Sequence, residues 1–321
     1  MLLTRSIENL FAKKTVFFAG KGGVGKTTTA AAFALLCARS GRKTLLVSTD
    51  PAHNLGDIFH TAIGGSIQPL NERLWALEIE QETETRRYLE QVKENLRNAV
   101  ASTMLEEVYR QIDLAAYSPG ASEAALFDRM VAILLDDSGQ YDMIVFDTAP
   151  TGHTIRLLTL PELMSVWIEG LLKRRRRRNE DYSQWLGDGE PVDDPIFTIL
   201  NRRRQRIVNT GKLLLDPAIT GFVFVLLPEY LPIVESSKAI EQLQRFGIHV
   251  DTLVINKLLP DQVNNSPFFQ GRLQQQRSYL ARIDSTFPRQ AKICLPLLSE
   301  DVNTLASLQA ISQHLEQTTD H

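Results

Sequence analysis

A chain of 321 residues, 43% hydrophobic and 23% charged, can bury the core of one large domain or two small ones. Its 35 Lys and Arg against 38 Asp and Glu leave a net charge of −3, which excludes a global pull toward nucleic acid or anionic lipid. Two cysteines far apart, Cys37 and Cys294, exclude a zinc site built from one subunit's thiolates. No apolar run reaches the roughly 20 residues needed to span a bilayer, so the chain reads as cytoplasmic.

From Thr15 to Asp50 an apolar run, a glycine turn, a stretch of helix-forming alanines, Gly41 and a second apolar run predict a strand, helix, strand unit. The turn spells GKGGVGKTT over Gly20–Thr28, directly after the strand VFFA, in the setting a phosphate loop requires. Gly20, Gly22, Gly23 and Gly25 let successive N–H groups around Val24 point at a phosphate, and the following helix offers its positive end. Lys26 is expected on the β- and γ-phosphates, and the Thr27 hydroxyl, next to Thr28, on magnesium. Lys21 is a second lysine that its own loop cannot easily turn onto the same phosphates. It can neutralise charge on a facing subunit's nucleotide, which predicts a nucleotide-dependent homodimer.

DPAHNLGD follows the second strand at Asp50–Asp57. Carboxylates at the carboxyl end of a parallel strand face the ligand crevice, so Asp50 or Asp57 can hold magnesium's waters or position the attacking water. His53 reads as a hydrogen-bonding loop residue. Apolar positions recurring at three- and four-residue steps from Thr83 to Arg110 predict one long amphipathic helix. The strand MIVF ends at Asp147, a third magnesium-side carboxylate, followed by a mobile loop over Thr148–His153 that can sense the γ-phosphate.

Between Pro161 and Lys212, 11 basic and 8 acidic residues predict two helices around an acidic loop. The run KRRRRR at Lys173–Arg178 reads as a solvated helix end or a contact with headgroups or an acidic segment. Aromatic residues are too scattered around it for a stacking surface, and no nucleic-acid partner is expected. Further buried strands are predicted at Phe222–Leu227 and Thr252–Ile255. After the latter, Asn256-Lys257 lacks an Asp two positions on to accept from guanine, which favours adenine. The Asn256 amide either pairs with the adenine edge or serves as a core or turn asparagine.

With GKGGVGKTT, DPAHNLGD, DTAPTGHTIRLLTLP, LLPEYLPIVES and VINKLLP on the page, the chain resembles the deviant phosphate-loop ATPases. Within them it is similar to the ArsA-type family of the arsenite-pump ATPase and the guided-entry ATPase for tail-anchored membrane proteins. The resemblance implies an α/β fold with a doubly wound, mostly parallel sheet and a symmetric dimer across ATP and magnesium. It implies a single ATPase domain over 1–321 with helical subdomain inserts at 80–135 and 161–212. By it, Lys21 acts in trans, Lys26 and Thr27 bind phosphate and magnesium, and Asp57 orients the hydrolytic water. Asp147 belongs to the loop transmitting nucleotide state, and Asn256 and Pro296 line the nucleotide. The helical inserts then receive a membrane-protein client or membrane effector, with Met104, Met130 and Met164 suited to an adaptable groove. The alternatives are an arsenite-activated ATPase energising a membrane pump and a nucleotide-gated adaptor for a membrane partner.

Two departures qualify the resemblance. Eukaryotic targeting ATPases clamp their subunits through CxxC and zinc after VINKLLP, where this chain reads DQVNNSPFFQGRLQQQRSYL; no structural zinc is expected. The arsenite-pump ATPase is a double-length chain with metalloid cysteines in its helical subdomain, and neither Cys37 nor Cys294 matches that placement.

Overall fold

The structure, a computed structural model, describes residues 5–50, 55–97, 105–115, 120–149, 157–158, 160, 168–170, 172–173, 195–260 and 266–317. The strands are β1 (Thr15–Gly20), β2 (Thr44–Ser48), β3 (Gln68–Pro69), β4 (Leu74–Glu78), β5 (Met143–Asp147), β6 (Thr220–Leu226), β7 (Thr252–Leu258) and β8 (Ala291–Pro296). They form one sheet in the order β3-β4-β2-β5-β1-β6-β7-β8, parallel throughout except for the antiparallel edge pair β3-β4.

Parallel strands covered by helices are continuously apolar, and β1, β2, β5 and β6 are buried along their whole length. Phe17 of β1 stacks between Phe146 of β5 at 4.6 Å and Phe222 of β6 at 5.2 Å between ring centroids. Each such pair contributes about 0.5–1.5 kcal/mol beyond its buried area. β1 therefore sits in the middle of the sheet, with its carboxyl end carrying the glycine-rich turn.

Helices α1 (Arg5–Phe11), α2 (Lys26–Arg39), α3 (Leu55–Phe59), α8 (Tyr230–Arg245), α9 (Pro267–Thr286) and α10 (Leu305–Gln317) accompany this sheet. The alanines of α2 are small enough for it to be buried from Thr29 to Ala38, and α10 packs against it through a core that includes Leu308, Ile311 and Leu315. These elements belong to a compact unit of Met1–Glu80, Ser138–Ile155 and Leu214–His321.

A second compact unit comprises Gln81–Asp137 and Arg156–Leu213. It holds α4 (Gln81–Arg97), α5 (Leu105–Ala115), α6 (Ala121–Ala132) and most of α7 (Pro195–Leu215). The single helix expected over Thr83–Arg110 is instead two: the Lys93 ammonium is 2.7 Å from Asp113 and 5.9 Å from the centre of the Tyr109 ring. In one continuous helix, Lys93 and Asp113 would stand about 30 Å apart at 1.5 Å per residue. The periodicity was shared by two antiparallel-facing helices, so it could not reveal the break. Most of the basic run, 174–178, and the acidic loop lie outside the described residues, as do His53, Met104, Met164 and 150–153.

Candidate nucleotide site

All strands but β3 run the same way, so the carboxyl ends of β1, β2, β5, β7 and β8 share one edge of the sheet. That edge carries the glycine loop, Asp50, Asp147, Asn256 and Pro296. A cleft of about 640 Å³ opens there, lined by Gly22, Gly23, Gly25, Lys26, Thr27 and Thr28 from the loop, with Asp50, Asn256 and Pro296.

The loop is held by its neighbours at two points. Gly20 has φ +151° and a Cβ there would lie 2.3 Å from the Val225 carbonyl oxygen; Gly25 has φ +91° and its Cβ would lie 2.3 Å from the Asn256 amide nitrogen. Both positions require glycine for conformation and for space. Asn256 Nδ2 donates to the Val24 carbonyl at 2.9 Å, while the Lys257 N–H donates to Asn256 Oδ1 at 2.9 Å. Asn256 is buried within β7 and ties that strand to the loop, and one amide hydrogen remains beyond the bond to Val24. Lys257 adopts φ 58°, where β7 is irregular against β8, a feature with no sequence signal of its own.

Gly25 caps α2 without any side-chain hydrogen bond, so the first-turn N–H groups face the loop's concavity unclaimed by a side-chain cap. Lys26 is buried, its Nζ donating to the Lys21 carbonyl at 3.2 Å. Lys21 has a different environment. Its Nζ pairs with Glu235 Oε1 of α8 at 2.9 Å, both side chains 46% exposed.

Asp147 is fully buried. Ser48 Oγ donates to its Oδ2 at 3.3 Å, and its Oδ1 has no hydrogen-bond partner. Burial pushes its carboxyl up to about 7, against the lowering influence of the Thr27 hydroxyl and the Lys26 ammonium, with Asp50 adding a further upward push. An orphaned buried carboxylate oxygen beside a threonine hydroxyl and a second aspartate is a donor set of hard oxygens suited to magnesium.

Asp57 is exposed on the first turn of α3 and does not line the cleft. Its helix is anchored from below: Glu78, buried at the end of β4, accepts from the N–H of Leu55 at 2.7 Å and of Gly56 at 3.3 Å. Sequence reasoning missed Glu78 and Glu235, because each reaches its partner through the tertiary fold. It also missed Leu297, Leu298 and Asp301, which line the cleft after β8.

A glycine loop between a central strand and a buried helix, closing on lysine and threonine with aspartates at adjacent strand ends, defines a phosphate-loop ATPase that uses ATP and magnesium. Residues 13–317 match the family model described as anion-transporting ATPase. The chain belongs to that family. It is 32% identical over 302 residues to "Putative arsenical pump-driving ATPase 2" of Aquifex aeolicus, covering 94% of this chain and 99% of the relative. It is 32% identical over 321 residues to "ATPase get3" of Schizosaccharomyces japonicus, covering 98% and 96%. Against "Putative arsenical pump-driving ATPase" of Halobacterium salinarum it is 36% identical over 298 residues, which cover 92% of this chain and 42% of the relative.

Proposed function

We propose that the protein hydrolyses ATP at a homodimer interface and relays nucleotide state to its helical unit. The observation that carries this reading is the contrast between two lysines of one loop. Lys26 is enclosed, whereas Lys21 sends a half-exposed ammonium out to Glu235. A cation so placed is available to a facing subunit.

In this reading the backbone N–H groups of Gly22 to Thr28 and the Lys26 ammonium bind the phosphates. Thr27, Asp50 and Asp147 hold magnesium, in part through water, and the metal supplies charge neutralisation on the phosphate oxygens when bound. Lys21 leaves Glu235 and crosses to the partner's γ-phosphate, stabilising charge as the leaving group departs. Asp57 orients the attacking water once α3 moves toward the loop. The remaining Asn256 amide hydrogen and Pro296 flank the adenine.

The helical segments 80–135 and 161–212 are the unit that receives a membrane partner, with the protein working in the cytoplasm and peripheral to the membrane. The family resemblance supports a tail-anchored client. The printed names of the Aquifex and Halobacterium relatives support a second reading, a subunit that energises an arsenical pump. For that reading thiolate capture of arsenite is disfavoured: Cys37 is buried, Cys294 half-buried, and burial pushes both thiols up.

Sedimentation and ATP turnover test the core of this reading. An Asp57→Asn protein is expected to dimerise with magnesium and ATP without turning over, and Lys21→Ala to lose turnover. A Lys21→Ala monomer with undiminished turnover overturns it. Retention of partners on the ATP-trapped Asp57→Asn dimer then separates a tail-anchored segment from a pump.

A further inference from the structure

The second unit contains a cavity of about 490 Å³ between α4, α6 and α7, and its lining shares no residue with the nucleotide cleft. Its volume falls within the range of small-molecule sites, about 300–1,000 Å³. Among the described residues, five arginines and three carboxylates line it, a surplus of two positive charges.

The charges are unequally matched. Arg206 and Asp136 form a two-pronged pair at 2.9 and 2.6 Å, which fastens α7 to the π-helical turn Ile133–Asp137 that continues α6. Arg203 lies over the Tyr88 ring at 4.7 Å and reaches Asp128 at 3.4 Å. These two guanidinium groups are held by the fold. The other three are less engaged. Arg129 and Arg87 approach Glu84 only to 3.9 and 3.8 Å, beyond hydrogen-bonding distance. Arg129 Nε is buried with no hydrogen-bond partner, and Arg202 has no ion pair among the described residues.

A buried guanidinium N–H without an acceptor is costly, and most such groups in folded proteins are satisfied. A purely structural network would close Arg129 onto Glu84. Arginine forks left open in a concave, positively charged site match the oxygen geometry of phosphate. We propose that this cavity is a binding site for a small soluble phosphate-bearing anion, held by Arg129 and Arg202 with Arg87 at the same wall. Arg203 and Arg206 position the helices around it. The proposal is independent of which membrane partner the ATPase serves.

Hydrogen exchange of the full chain tests it, with the nucleotide site saturated by magnesium and ADP and inorganic phosphate titrated as the probe. The expected result is saturable protection of α4, α6 and α7 peptides. Arg129→Gln and Arg202→Gln, made singly, should each raise the half-saturating phosphate concentration about tenfold, the scale of a lost hydrogen bond to a charged group. Because Arg202 is exposed and has no ion pair among the described residues, its replacement leaves the fold intact and keeps the test informative if Arg129→Gln unfolds the unit. Absence of protection, or the same half-saturation in Arg202→Gln as in the parent, overturns the proposal. Protection by phosphatidic acid vesicles but not by inorganic phosphate also overturns it, since the site would then belong to a membrane surface.

Discussion

The ammonium of Lys21 rests 2.9 Å from Glu235 Oε1, so the loop's outer lysine is paired within its own chain. With both side chains 46% exposed, such a pair is worth at most about 1 kcal/mol and is easily exchanged for another anion. In the proposed dimer cycle, Glu235→Gln should therefore raise the rate of ATP-dependent dimer formation about two- to fivefold, read by stopped-flow light scattering. Lys21→Met should abolish turnover in the same series while ADP affinity changes less than about twofold. An unchanged dimerisation rate in Glu235→Gln would remove Glu235 from the cycle.

Glu78 holds two N–H groups at the start of the helix bearing Asp57. Glu78→Gln keeps the shape but weakens both bonds, which a carboxylate makes about twice as strong as a neutral acceptor. The expected outcome is a fall in kcat of about tenfold or more with KM for ATP little changed, and faster hydrogen exchange over Leu55–Phe59. Parallel loss of nucleotide affinity would instead assign Glu78 a general structural role.

The Asp147 carboxyl has its folded pKa raised to about 7 by burial. A raised acid binds its proton more tightly when folded, so stability falls as pH rises from the unfolded value near 4 through 7. Asn stays neutral throughout. The nucleotide-free Asp147→Asn protein should thus gain in melting temperature over the parent as pH rises from 5 to 7, by a few degrees, while losing hydrolysis. A gap that is constant with pH would show that the parent's carboxyl does not titrate in that range.

Gly25→Ala should abolish ATP binding, because its Cβ would fall 2.3 Å from the Asn256 amide nitrogen and its φ is +91°. Removing the obstacle with Asn256→Ala relieves the space but not the backbone strain, so the double variant should recover only part of the affinity in calorimetry. Full recovery would mean that crowding alone fixes glycine there.

The phosphate loop was legible in the sequence because its chemistry is local: strand, glycines, Lys26 and Thr27 follow one another without a gap. The buried strands were legible for the same reason, as apolar runs too short for helices. Partners brought together by the fold were not. Glu235, Glu78 and Asn256 act on residues 214, 23 and 232 positions away, at Lys21, Leu55 and Val24, and no spacing rule connects them. The break between α4 and α5 was hidden because both helices carry the same periodicity, and only the Lys93–Asp113 contact reveals it.

The packing of α2 against α10 bears on the order in which the protein matures. The helix that opens with Lys26 takes part of its apolar cover from Leu308, Ile311 and Leu315 of α10, a segment far along the chain. Chains emerge from the ribosome amino end first, and contacts between distant segments form late. The face of α2 that meets α10 is therefore closed late in folding, after its local contacts with β1 and β2.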